Sequence, residues 1–438
     1  MSRPVLMAAA VLSLWTMDAA AQLVPEGSQA ARVDMGYRRM SSFRIDPFRH
    51  VMIPHWGFVF SLGATVENSA WNLADFMAYT FLDDSTNGSQ VLPGDLLDVI
   101  GLIPVGKGVG VASQAEGGFY LGGPFGRHLS LGFSAQSRAY GSGLISEGVV
   151  SLLRDGNLTQ DQFDLLGSGG IGLATVDLGA HAVLRFGPLG TEDGMHLALG
   201  FGGRLVRAGL YYQARPQLGS STVVRAGLDS IVADLSFETF QTFETSLIVA
   251  DFLDRVQDSP TSVVGDFLIR MEWPTNGFTL EAMFANLGSV SIPNVVRDTA
   301  SLSVATNDAG NDLKAAFDAM QFEFADSVDV DVKLPQIIRF SAGAWANRIL
   351  QVDVAATMPV SGDFETPLTM DLGTTWRFVR QFPLRVGLIL GGHQGLGYSG
   401  GFALEGRNVF FQVAGQSLGG LFRNAKGTGA RVDFGIFF

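Results

Sequence analysis

The residues of this chain that could do covalent chemistry are few. Cysteine is absent, and six histidines, His50, His55, His128, His181, His196 and His393, are dispersed over 438 residues. Thiolate nucleophiles, zinc–thiolate centres and disulfides are excluded. What remains are two Ser–His neighbours, His128 with Ser130 and His393 with Ser399, which would act as base and nucleophile only if strands brought them into hydrogen-bond contact near a rim. No G-x-S-x-G elbow, H-E-x-x-H pair or P-loop occurs. A lone histidine on a polar strand face more often makes a structural hydrogen bond. An acidic stretch carries Asp308, Asn311, Asp312, Asp326, Asp329 and Asp331; these are oxygen ligands without calcium-loop spacing, which reads as a solvated loop. The expectation is no catalytic centre, no metal and no cofactor.

Composition sets the next bounds. Lys plus Arg number 29 against 42 Asp plus Glu, a net charge of −13, and only 16% of residues are charged, where soluble domains carry about 25%. There are 55 Gly and 33 Phe, and 47% of residues are hydrophobic. Disorder is excluded. Nucleic acid is excluded as a partner, because counterion release needs a basic face.

The elements that would position any site follow from an address signal and a period. Residues 1–21 read as a secretory signal: Arg3, an apolar run from Val5 to Trp15, and Ala19-Ala20-Ala21 before Gln22, where the mature chain is expected to begin. Beyond it no apolar run is long enough for a membrane helix. In the last strand Ala430, Val432, Phe434, Ile436 and Phe438 fall on one face, and Gly429, Arg431, Asp433 and Gly435 on the other, where Phe437 is the one apolar residue. The same alternation runs through 350–358, 368–377, 384–391, 195–202 and 265–273. Bulky apolar residues on one face and small or charged ones on the other describe an all-β transmembrane antiparallel barrel, with lipid outside and a polar lumen inside.

The pattern predicts fourteen strands, within a range of 12–16: 57–66, 108–122, 127–140, 171–186, 195–212, 262–273, 277–287, 336–346, 349–359, 367–379, 382–393, 397–405, 407–416 and 428–438. Every second connection is then short, as periplasmic turns are, and the others include every long one. A further hairpin around Val232 to Leu247 would make sixteen. Short helices are expected in the outward loops at Trp71–Leu82, Leu144–Arg154 and Leu313–Phe322.

This barrel, residues 57–438, assigns sides. Arg204, Arg270, Arg339, Arg377, Arg385 and Arg431 should face the lumen with Asp353, Asp371, Glu405 and Asp433, as ladders that brace the wall. Trp56, Tyr140, Tyr211, Tyr212, Trp273, Trp345, Trp376 and Tyr398 lie near strand ends, where an interfacial girdle sits. Phe434, Ile436 and Phe438 make the aromatic C-terminal strand that would serve as an assembly signal for barrel-insertion machinery. Residues 22–56 hold Arg32, Arg38, Arg39, Arg44 and Arg49, the one basic stretch. It folds either as a lumenal plug pairing with the inward acids or as a periplasmic tail.

Several runs resemble a known family. Leu334-Pro335 leading into an inward-Arg strand, Val352-Asp353-Val354, Leu384-Arg385-Val386-Gly387-Leu388 and Gly395-Leu396-Gly397 look like the C-terminal half of the long-chain fatty-acid transporter (FadL-type) superfamily and its secretion-shuttle relatives. Asn68-Ser69-Ala70 and Leu152-Leu153-Arg154-Asp155-Gly156-Asn157 are closer to an uncharacterised outer-membrane family. The resemblance covers about a third of the chain. It implies fourteen strands, a plugged lumen and a bacterial outer-membrane location. It carries over no ligand residue, because the N-terminal Asn-Pro-Ala motif of the transporters is absent.

The resulting expectation is passive uptake of a small hydrophobic solute through a plugged lumen, with outer-membrane lipid around the wall. Loop-mediated docking of a secreted or surface partner, and a rim hydrolase, are the other readings the residues leave open.

Overall fold

The computed structural model describes residues 47–438 apart from 49, 53–54, 73–100, 102, 104–105, 127, 156–161, 165–166, 190–193, 218–222, 228–229, 243–248, 274–276, 307–322, 348, 380, 407 and 422–423. The first ten strands are β1 (Gly57–Asn68), β2 (Val109–Pro124), β3 (Leu129–Ile145), β4 (Gln162–Asp164), β5 (Gly169–Leu189), β6 (Met195–Pro216), β7 (Val223–Gly227), β8 (Ser230–Gln241), β9 (Ser262–Trp273) and β10 (Phe278–Leu287). The rest are β11 (Ser289–Thr306), β12 (Glu323–Lys333), β13 (Gln336–Trp345), β14 (Leu350–Ser361), β15 (Thr369–Val379), β16 (Phe382–Gly391), β17 (Leu396–Glu405), β18 (Val409–Leu418) and β19 (Gly427–Phe437). Two helices, α1 (Glu147–Asp155) and α2 (Val249–Asp258), lie between strands.

Fourteen of these strands close a barrel in the order β1-β2-β3-β5-β6-β9-β10-β13-β14-β15-β16-β17-β18-β19, and β19 pairs back onto β1 from Gly57↔Phe437 to Glu67↔Gly427. Every pairing is antiparallel, and closure leaves no free edge within the wall. These fourteen coincide with the expected ones to within a few residues. The connections at one end are never longer than five residues. The opposite end carries all the long ones.

Side chains sort by parity. Phe58, Leu62, Val66, Phe119, Phe133, Leu178, Phe201, Leu205, Phe340, Met370, Leu372, Leu388, Leu404, Phe434 and Ile436 point outward and are exposed. In water such a belt would be a large unfavourable surface; against hydrocarbon it is the matching one. The opposite parity is buried and carries Gly, Ser, Thr, Arg and Asp.

The expected hairpin around Val232 to Leu247 adds no strands to the wall: Ser230–Gln241 is a single strand, β8, hairpinned to β7, and residues 243–248 lie outside the described residues. β8 pairs with the tip of β6 from Tyr212↔Gln241 to Pro216↔Phe237 and with β11 along its other edge. With β7, β4 and β12 it forms a five-stranded canopy beyond the loop end. On β12, Val328, Val330 and Val332 turn toward the core while Asp326, Asp329, Asp331 and Lys333 stay exposed, so half of the acidic stretch is a solvated strand face. The expected helix at Leu144–Arg154 is present as α1 after two further residues of β3. Those at Trp71–Leu82 and Leu313–Phe322 lie, but for Trp71 and Asn72, outside the described residues. Sequence periodicity missed α2, which lies on the outside of the wall. There Phe252 covers Gly209, and Arg207 donates from Nη1 to the carbonyl of Gln257 at 3.1 Å.

Candidate functional site

Barrel parity aims the short polar side chains of neighbouring strands at one another, and at mid-wall it builds a transverse belt. Ser61 donates to Asp433 at 2.5 Å and accepts from Arg431 Nη2 at 2.8 Å. Arg431 reaches Glu116 at 2.5 Å, and Glu116 lies 4.0 Å from Arg138. Arg138 and Arg204 each stand 3.1 Å from the same oxygen of Asp177. Arg204, 0% exposed, donates to both oxygens of Asp266, at 2.9 and 3.0 Å, and to Asn286. His181 Nε2 stands 3.2 Å from Asp266, its ring laid over Gly202, where a Cβ would come within 2.0 Å of it. Asn286 itself, at φ 62, donates to Pro335 O at 2.8 Å. The belt thus crosses β19, β1, β2, β3, β5, β6, β9 and β10. Each buried charge has an opposite charge in hydrogen-bond or near-contact range, the condition under which burial is tolerated.

Three smaller ion-pair groups stand on the inner face of the wall. Arg385 binds Asp353 through both guanidinium nitrogens and Thr375 at 3.1 Å. Arg377 on β15 reaches across β16 to Glu405 on β17 at 3.0 Å. Arg270 pairs with Glu272 and lies 3.8 Å from Glu281. Arg339 and Asp371 are buried on the same inner face.

The expected plug arginines, Arg32, Arg38, Arg39, Arg44 and Arg49, lie outside the described residues. Three of the acids proposed as their partners are already held by arginines of the wall: Asp353 by Arg385, Glu405 by Arg377 and Asp433 by Arg431. The described end of that segment contributes His50, packed on Tyr120 at 4.5 Å, and three apolar side chains. Phe48, Val51 and Met52 are buried inside the turn end, Phe48 edge-on to His181 at 5.3 Å and packed against Gly200.

These three residues begin a single apolar cluster that runs the length of the interior. It continues through Leu268, Val264, Met283, Val206 and Leu173 to Tyr211, Ile337 and Phe364 at the loop end. There the connection 362–368, between β14 and β15, crosses the mouth: Glu365 N donates to Ser142 Oγ on β3 at 3.2 Å, and Phe364 packs on Tyr140 with ring centres 5.6 Å apart. Beneath this crossing lies a cavity of about 80 Å³, partly open to solvent, walled by Tyr140, Ile337, Phe364, Ile389 and Leu418, with Glu67, Gln114, Thr369 and Asp371 among its polar lining.

The aromatic girdle needs correction at three positions. Tyr140 shares the parity of Gln136 and Arg138 and is buried inside at 5% exposure. Tyr211 is also inside, because Gly209 is an extra residue in β6, between Ala174↔Leu210 and Thr175↔Ala208, and inverts the parity beyond it; Tyr212 is the one left outside, 39% exposed. Trp345 lies opposite Gln351 on the inner face and packs over Gly277 at the turn end. Trp56, whose Nε1 donates to Pro124 O at 2.9 Å, Trp273 and Trp376 stand on the outer side of the turn end, and Tyr212 and Tyr398 on that of the loop end. Phe437 stacks on Phe410 inside the closing seam at 5.4 Å, while Phe434, Ile436 and Phe438 face outward.

Neither Ser–His neighbour forms a pair. His128 Nδ1 lies 3.1 Å from Arg185 O while Ser130 is buried inside, and His393 sits 3.7 Å from Glu365, without a hydrogen bond to Ser399. Among the described residues no group of three His, Asp or Glu could hold a metal ion. The belt members Glu116, Arg138, Asp177 and Asp266 were not singled out from sequence, although their parity with Gln136 and Arg204 was the available signal.

No protein-family model matches the chain, and no curated protein matches it. Among solved structures, the toluene transporter TbuX of Ralstonia pickettii is 10% identical, with 91% of this chain and 93% of that one covered and a TM-score of 0.46. The P. putida toluene transporter TodX is 10% identical over 94% and 93%, with a TM-score of 0.45. The translocator domain of the autotransporter NalP of Neisseria meningitidis is 11% identical over 94% and 98%, with a TM-score of 0.33. At this level of similarity neither a family nor a solute passes from those proteins to this one.

Proposed function

We propose that this protein is a bacterial outer-membrane barrel for passive uptake of a small hydrophobic solute through an occluded lumen. The observation that carries the reading is the apolar cluster joining Phe364 at the loop end to Phe48 at the turn end inside an otherwise ionic interior. An open aqueous pore has no use for a buried hydrophobic column, whereas a solute that leaves water gains roughly 25 cal/mol per Å² of apolar surface it buries. The mature chain begins at Gln22. Insertion machinery recognises the strand bearing Phe434, Ile436 and Phe438, the turn end faces the periplasm, and residues 22–56 act as the plug through Phe48, Val51 and Met52.

The test is conductance of the refolded protein in a planar bilayer, with and without residues 24–50, together with entry of toluene into proteoliposomes. Silence from the intact protein, steps after deletion and toluene entry above empty vesicles are expected. Stable steps from the intact protein would overturn the occluded lumen. Toluene entry no faster than into empty vesicles would overturn uptake.

A further inference from the structure

The cavity under the 362–368 crossing has a chemistry that an uptake site for a purely apolar solute does not require. Glu67 is 9% exposed, lies among the lining residues, and has no hydrogen-bond or ion-pair partner among the described residues. Thr369, 2% exposed, presents a hydroxyl that is likewise without a hydrogen-bond partner there. Elsewhere in the interior Asp353, Glu405, Asp433, Asp177 and Asp266 each face an arginine within hydrogen-bond range. Among the described residues the Glu67 carboxylate has no such partner, and burying a carboxylate without one is costly. No Arg, Lys or His is among the residues lining the cavity, while Glu365 and Asp371 add further acidic groups. Its walls are Tyr140, Phe364, Ile389 and Leu418.

We propose that this cavity binds a small amphiphile made of an apolar, ring-sized body and a protonated amine, with the amine on Glu67 and the ring against Tyr140 and Phe364. The site deepens the uptake reading and rests on it, but it narrows the solute. A cation supplies the charge that Glu67 lacks, and the Thr369 hydroxyl adds a second polar contact. A carboxylate of the same size meets only like charge and is turned away. The cavity is therefore a selectivity element at the loop end, in front of the apolar cluster.

The experiment is equilibrium dialysis of the folded protein in detergent micelles, against empty micelles, with three probes of one shape: 2-phenylethylamine, 2-phenylethanol and 3-phenylpropionate. The amine is expected to bind roughly tenfold more tightly than the alcohol, which corresponds to about 1.4 kcal/mol, and the carboxylate most weakly. In Glu67→Gln the amine should fall to the affinity of the alcohol, whose own binding stays unchanged; heat-modifiable gel mobility checks that the variant is folded. Thr369→Val should weaken amine and alcohol together and leave their ratio standing. Equal binding of amine and alcohol by the natural protein, or an amine preference that survives Glu67→Gln, would overturn the proposal while toluene entry into proteoliposomes still upholds uptake. Binding of none of the three probes would also overturn it, and toluene entry would then decide separately whether uptake stands.

Discussion

Arg385 on β16 reaches Asp353 on β14 by laying its guanidinium across Gly373 on the strand between them. A Cβ at Gly373 would lie 2.0 Å from Nη2 of Arg385. The glycine is therefore part of the ion pair. Gly373→Ala should push the guanidinium off Asp353 and leave a buried carboxylate short of its donors, lowering stability by about 1–3 kcal/mol. Urea unfolding in lipid vesicles, followed by tryptophan fluorescence, reads this directly. An unchanged midpoint would show that Arg385 and Asp353 do not brace the wall.

Arg204 joins Asp177 to Asp266 at the centre of the belt and is more deeply buried than any other arginine among the described residues. Arg204→Ala takes the arginine from Asp266 and leaves Asp177 with Arg138 alone, and should cost about 3–5 kcal/mol. Arg204→Lys keeps the charge but loses the fork that serves both oxygens of Asp266, so an intermediate loss is expected. Equal midpoints for the two variants would mean that charge alone matters here.

Phe364 holds the crossing over the mouth through its contact with Tyr140. Phe364→Ala in the chain lacking residues 24–50 should raise single-channel conductance above that of the deletion alone, because both ends of the apolar cluster are then loosened. Identical step sizes would place the remaining constriction elsewhere in the column.

Parity explains what could be read without coordinates and what could not. The fourteen wall strands were legible because each alternates between residues suited to lipid and residues suited to a polar interior, and that constraint acts on every turn of the chain. Phe434 and Asp433 could thus be assigned to opposite faces at once. Tyr211 could not, because Gly209 inserts one residue and inverts the phase, and a bulge glycine looks like any other glycine in a chain that has 55. The canopy was hidden for a related reason. β8 and β11 pair beyond the bilayer, where lipid no longer imposes a clean outward face, so β11 reads as a loop and β8 as half of a further wall hairpin. Glu67 carries the parity of a lumen residue, but that its carboxylate has no partner among the described residues depends on contacts among β1, β2 and the 362–368 connection.

The outer wall gives a parity test of its own. Leu62 stands mid-strand on β1, facing out, directly after the buried Ser61. Leu62→Arg places a charge in hydrocarbon and should cost about 2–4 kcal/mol, falling toward 0–1 for the same change near a strand end such as Val66. A loss independent of depth would contradict a bilayer around this belt.

The canopy should respond to acid. Glu238 on β8 accepts from Arg297 on β11 and from Arg215 on β6 at 3.3 Å. Burial alone would raise its pKa, but the hydrogen bonds and charge of Arg297, then those of Arg215, outweigh it and hold the carboxyl below its ordinary 4.5. A carboxyl depressed on folding stabilises the folded form fully above its unfolded value, and loses that contribution as pH falls through the folded one. Hydrogen exchange across β8 and β11 should therefore be slow and constant above pH 4.5, once corrected for the intrinsic pH dependence of exchange. Below that pH it should accelerate. Glu238→Gln should already exchange faster at neutral pH and lose the acid step. An acid step that persists in Glu238→Gln would assign the canopy's pH response to another carboxylate.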